Sequence, residues 1–148
     1  MTNFSISGPK IYSESGLIND KTLTVENERI LKIDNNKAKE DYTFPSDFIL
    51  IPGMIDMHIH GSAGADVMDA TAESLQTICD SLATVGTTAF LATTMSEPID
   101  SIEKTLKNIA KHPNTNGAEI LGCHLEGPFL ANSYKGAQEG SQLLNPDI

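Results

Sequence analysis

Across residues 71–85 the apolar side chains Leu75, Ile78, Cys79 and Leu82 recur at three- and four-residue intervals. That spacing predicts a helix that buries one face, with Thr71 placed to cap its start and Gly86 to stop it. Ile99, Ile102, Leu106 and Ile109 repeat the pattern after Ser96-Glu97-Pro98, and His112-Pro113 ends it. Between these helices, residues 87–95 form a β-branched and apolar run of strand length. Asn116-Gly117 predicts a turn into another apolar strand through Ile120-Leu121-Gly122-Cys123. Ahead of the first helix, Ile55, Met57 and Ile59 alternate with Asp56, His58 and His60, so a strand there separates an apolar face from one bearing histidines. The resulting order, βαβαβ, predicts a parallel sheet with right-handed crossovers.

The first fifty residues follow another rhythm. Short strand-like runs at 4–6, 10–12, 23–26 and 29–33, with Asn27-Glu28 as a hairpin turn, predict a small β module over residues 1–50. A polar loop over 34–41 follows, and 48–51 leads into the histidine strand. Residues 51–148 then supply three strands and two helices of an α/β fold. If the sheet closes into a (β/α)8 barrel, the first and third strands contribute to the same interior layers, and His58, His60 and Glu126 fall at the C-terminal strand ends where such barrels carry their sites. A barrel of this kind needs ~250 residues, so a chain of 148 residues is expected to be the N-terminal part of one. The alternatives are a remainder supplied by another polypeptide or a complete smaller α/β fold.

Composition excludes several classes. The hydrophobic fraction of 39% is that of a globular protein, and no apolar run approaches the ~20 residues that span a bilayer. The start Met-Thr-Asn-Phe-Ser lacks the basic and apolar regions of a signal peptide, so a cytoplasmic protein is expected. A net charge of −10 disfavours general binding to nucleic acid or to an anionic membrane. Any anionic substrate must then be held by a local site. Cys79 and Cys123 read as buried, unreactive thiols in a reducing compartment, with no disulfide between them.

The candidate chemistry lies in two motifs. Pro52-Gly53-Met54-Ile55-Asp56-Met57-His58-Ile59-His60-Gly61 puts two imidazoles side by side at a strand end, and neutral imidazole is the commonest protein ligand for divalent transition metals. Two core histidines satisfied by hydrogen bonds are the competing interpretation. His124-Leu125-Glu126-Gly127-Pro128-Phe129 puts Gly122, His124 and Glu126 on one face, with Gly127-Pro128 ending the strand. On this segment alone, Glu126 reads nearly as well as a solvated loop carboxylate. His124 reads as a satisfied core histidine or as a support for a ligand, Asp56 as a partner for backbone or a neighbour, and His112 as a surface cap. Gly61-Ser62-Ala63-Gly64 lacks the lysine and spacing of a phosphate loop and reads as a mobile βα loop. Lys135 reads as a solvated lysine or as a phosphate contact.

The first motif resembles the metal-binding signature of the amidohydrolase superfamily, which also carries a β module ahead of its barrel. The second, followed by Lys135-Gly136-Ala137, resembles the N-acetylglucosamine-6-phosphate deacetylase family within it. Asp66, the run Met68-Asp69-Ala70-Thr71, the run Gly86-Thr87-Thr88, and Thr93-Thr94 fit the same family. The resemblance implies that residues 1–50 are the N-terminal part of a composite β-sandwich and that Glu126 is a metal ligand on the third strand. His58 and His60 match a histidine pair that some members keep and others have lost, which implies one or two divalent ions, zinc first and iron next. Ala137 and Gln138 match positions beside the sugar, where many members have histidine in place of Gln138. The implied reaction is hydrolysis of N-acetylglucosamine 6-phosphate to glucosamine 6-phosphate and acetate by a metal-activated water, in a homodimeric enzyme. The catalytic aspartate and the other ligands would lie beyond Ile148. Two further alternatives are another amidohydrolase acting on a cyclic amide or nucleobase, and a noncatalytic half-barrel.

Overall fold

The computed structural model describes residues 3–35, 41–113 and 116–146, and the chain divides into two compact units, Met1–Pro52 and Gly53–Ile148. The first unit holds β1 (Asn3–Ser7), β2 (Lys10–Ser13), β3 (Gly16–Ile18), β4 (Thr22–Glu26), β5 (Arg29–Asp34), β6 (Tyr42–Thr43) and β7 (Ile49–Leu50). They form a four-stranded sheet in the order β5-β4-β1-β6 and a three-stranded sheet in the order β3-β2-β7. The expected hairpin is present: β4 and β5 pair antiparallel with Glu26 opposite Arg29. Asn27 and Glu28 between them both take positive φ, 51° and 65°, the twist that a two-residue hairpin turn requires. β3, β6 and β7 were not predicted. Two or three residues carry no readable period, and their strand geometry comes from the partner, as when Ile49 and Leu50 pair with Lys10 and Ile11. Residues 36–40 of the predicted polar loop lie outside the described residues. Asp41 at its end accepts a hydrogen bond from the Ser5 amide at 2.9 Å.

The second unit runs β8 (Met54–Ile59), β9 (Gly61–Ser62), β10 (Ala65–Asp66), α1 (Ala72–Thr84), β11 (Thr87–Thr93), α2 (Ile99–Lys111) and β12 (Glu119–His124). β8, β11 and β12 form a three-stranded sheet with β11 in the centre and both pairings parallel, as βαβαβ predicts. The core gathers Leu75, Ile78, Cys79 and Leu82 from α1 with Val67, Phe90, Ala92, Ile109, Ala118 and Ile120. The Thr71 side chain accepts from the Ser74 amide at 3.1 Å, which satisfies one of the donors left free at a helix start. Beyond the helix Gly86 takes φ +87°, a conformation that glycine adopts without strain.

Three expectations are corrected here. On α2 the buried positions are Ile102, Thr105 and Ile109, whereas Ile99 is 42% exposed, because the first turn precedes the stretch that lies on the core. The segment 61–64 is ordered as a hairpin: β9 pairs with β10, and Ala63 and Gly64 turn it with φ of 53° and 82°. A Cβ on Gly61 would overlap the Ala65 carbonyl oxygen, so the hairpin itself demands glycine there. Cys123 is only half-buried, while Cys79 is fully buried, and both thiols are free. Burial pushes both thiols above the ordinary cysteine range.

Candidate metal centre

The site is assembled at the C-terminal ends of the parallel strands. β8 is held at its end by β11, where the Ile59 amide donates to the buried Thr93 hydroxyl at 3.0 Å. Asp56 accepts from the His58 amide at 3.0 Å, so this carboxylate orients backbone, one of the roles expected for it. His58 and His60 follow, with their Nε2 atoms 3.3 Å apart. Glu126 comes from the other flank of β11, two residues past the end of β12. The Thr94 amide donates to the His124 carbonyl at 3.1 Å, and the Glu126 amide donates to the Thr94 hydroxyl at 3.3 Å. Gly127 (φ +78°) then turns the chain away, and a Cβ there would overlap the Ser96 hydroxyl.

These constraints bring three Lewis bases together. Glu126 Oε2 lies 2.8 Å from His58 Nε2 and 3.1 Å from His60 Nε2, and the three ligand atoms all lie within 4.8 Å of one another. Burial by itself would raise the Glu126 carboxyl. Hydrogen bonds from Gln138 and His58 and the two nearby imidazoles outweigh it and hold the group below the usual carboxylate range, which favours the anion. A carboxylate oxygen from the end of β12 and two imidazole nitrogens from the end of β8 suit a divalent transition ion. His58 remains half-exposed, so the cluster is open to solvent on one side.

The remaining candidates take varied places. The His124 ring meets His58 edge-on, with centroids 4.5 Å apart and planes at 88°, and its buried Nδ1 has no partner among the described residues. Ala137 is exposed and Gln138 is buried. Lys135 is half-buried, and its Nζ donates to the Gln138 carbonyl at 2.7 Å. His112 is not a surface cap in the sense expected. Its backbone amide closes α2 onto the Ile109 carbonyl, but the ring is half-buried with Nε2 3.8 Å from Cys79 Sγ. His112 takes the extended backbone, ψ 128°, that a following proline favours. Sequence reasoning missed the work of Thr93, Thr94 and Ser96, whose signal was hydroxyl residues clustered at the end of an apolar central strand.

The sequence profile of the amidohydrolase family matches residues 49–143. Fold and site thus define the class, and the chain belongs to the amidohydrolase family, whose members depend on metal. Named proteins that it resembles are deacetylases. It is 38% identical to the N-acetylglucosamine-6-phosphate deacetylase of Bacillus subtilis over 92% of this chain and 40% of that protein. It is 52% identical to the enzyme of the same name from Vibrio furnissii over 60% of this chain and 23% of that protein. The crystal structure of N-acetylglucosamine-6-phosphate deacetylase from Pasteurella multocida superimposes with a TM-score of 0.83 at 20% identity, covering 99% of this chain and 40% of that one. The chain therefore has the fold of the first part of such a (β/α)8 enzyme with its leading β module, and it spans about 40% of the length of that relative and that structure. No helix among the described residues is long and apolar enough to cross a membrane.

Proposed function

We propose that the protein carrying this chain hydrolyses the acetamide of N-acetylglucosamine 6-phosphate to acetate and glucosamine 6-phosphate. The observation that carries this reading is the convergence of His58, His60 and Glu126 within 4.8 Å at parallel strand ends. The likeness to deacetylases of that name supports the choice of substrate. Glu126 supplies the anionic ligand and His58 and His60 the neutral ones, for zinc first and iron next, as one or two ions. When bound, such an ion lowers the pKa of its water to ~7 and polarises an amide carbonyl. The chain's own residues hold that arrangement: Thr93 fixes the end of β8, Thr94 fixes the Glu126 backbone, and the open side of the cluster admits the acetamide. The turn bearing Ala137 and Gln138 lines the sugar, with exposed Ala137 in contact with it. The aspartate that moves protons between the water and the departing amine is supplied from beyond Ile148. This reading places the enzyme in the cytoplasm as a homodimer, which size-exclusion chromatography with light scattering checks.

The decisive test is acetate release from N-acetylglucosamine 6-phosphate by the full-length protein, before and after chelation. Activity that chelator abolishes and zinc restores is expected. No acetate release, or release indifferent to metal, would remove the reading.

A further inference from the structure

Two adjacent threonines at the end of the central strand each hold the backbone of one flank of the cluster. Ile59, the residue between His58 and His60, pairs with Ala92 after a register shift between Phe90 and Ala92 of β11. Its amide donates to the Thr93 hydroxyl at 3.0 Å. That hydroxyl donates in turn to the Leu91 carbonyl at 3.2 Å, so its single proton is committed and its direction is fixed. On the opposite flank the Thr94 amide donates to the carbonyl of His124, the last residue of β12. The Thr94 hydroxyl then accepts from the Glu126 amide at 3.3 Å, which extends the hold two residues past the strand. Thr93 and Thr94 are both 0% exposed. A buried threonine at a strand end can do no more than satisfy a neighbouring amide. What sets this pair apart is which amides they take, one between the two histidines and the other belonging to the carboxylate residue itself.

We infer that Thr93 and Thr94 are positioning residues that set the separation of the histidine pair from Glu126, and with it the affinity and geometry of the metal centre. The inference rests on the proposed reading of His58, His60 and Glu126 as ligands. Neither hydroxyl bonds a ligand atom. They act by fixing where each ligand-bearing backbone leaves its strand, and because the two threonines are consecutive in one chain, the two flanks are fixed against each other. Loss of a group that orients a ligand from behind costs about 10–100-fold in metal affinity.

The test compares full-length wild type with Thr93→Val and Thr94→Val, which keep the branched shape without the hydroxyl, and with Thr93→Ser and Thr94→Ser, which keep the hydroxyl. Zinc affinity is measured by competition with a chromophoric chelator, and the visible absorption of the cobalt(II)-substituted protein reports ligand geometry. Each valine variant is expected to bind zinc about 10–100-fold more weakly and to shift the cobalt bands, with each serine variant near wild type on both. A valine variant that melts earlier yet keeps wild-type zinc affinity and cobalt bands would overturn the inference and leave that threonine a purely structural group. Serine variants no better than valine would overturn it as well, since the hydroxyl would not be the acting group. Should the valine variants fail to fold, amide exchange in the wild type decides: the Ile59 and Glu126 N–H groups should be protected without metal and slowed further by zinc. Fast exchange at either amide, or exchange indifferent to zinc, would overturn the positioning role. Zinc binding unchanged in Glu126→Gln and in the valine variants alike marks a failure of the metal reading, and the positioning role falls with it. A loss in Glu126→Gln with none in the valine variants overturns the positioning role alone.

Discussion

Glu126 is held beside His58 and His60 through its backbone, whose amide donates to the Thr94 hydroxyl at 3.3 Å. An amide at this position would keep the shape and lose the charge. Glu126→Gln in the full-length protein should therefore lower zinc affinity and acetate release by more than the roughly 10–100-fold that loss of an outer partner costs. Metal analysis alongside the assay checks this, and full occupancy with wild-type turnover would exclude Glu126 as a ligand. His58 and His60 are predicted to behave differently. Replacing both by asparagine should remove one metal equivalent while leaving the ion on Glu126, with a smaller loss of activity. Elemental analysis of the double variant decides, and unchanged stoichiometry would make the pair structural.

At the scale of elements, α1 and the turn into β12 position the sheet that carries these residues. The Thr71 cap is a single hydroxyl at an exposed helix start, so Thr71→Ala should destabilise the protein by about 1 kcal/mol, read as a lower denaturation midpoint with the metal site intact. Gly117 is more constrained. It takes φ +79°, and a Cβ there would lie 2.6 Å from the Cys79 carbonyl, just where the Ala118 amide donates to that same carbonyl at 2.9 Å. Gly117→Ala would force both the conformation and the contact, and the backbone strain alone costs about 1–3 kcal/mol. Thermal melts of the two variants should rank Gly117→Ala as the more damaging.

At the scale of the molecule, β8 and β12 are the edges of the three-stranded sheet. β8 presents Ile55 and Met57 with 61% and 71% of their surfaces exposed, and Leu121 on β12 is likewise exposed. Unpaired strand edges beside apolar side chains template association. The 148-residue chain by itself is therefore expected to self-associate and to release no acetate. Size-exclusion chromatography, thermal unfolding and the acetate assay on this polypeptide check the prediction. A cooperative melt from a compact monomer with chelator-sensitive activity would contradict it.

What the sequence determined by itself follows from period and punctuation. Leu75, Ile78, Cys79 and Leu82 sit on one helical face at any tertiary arrangement, Thr71 and Gly86 bound that helix by local hydrogen bonding and φ, and Asn27-Glu28 makes its turn from two residues. The alternation that puts His58 and His60 on one face of a strand is equally local. Tertiary structure decided whatever depended on a partner distant in the chain. The short strands β3, β6 and β7 exist because another strand supplies their hydrogen bonds, and Ile99 is exposed because the core lies farther along α2. Lys135 donates to the carbonyl of Gln138, three residues away. Gln138, a polar residue in a loop, could be read from its neighbours only as a candidate sugar contact. Its side chain meets the Ser96 amide and the Met95 sulfur from more than forty residues earlier, and no local pattern encodes that meeting.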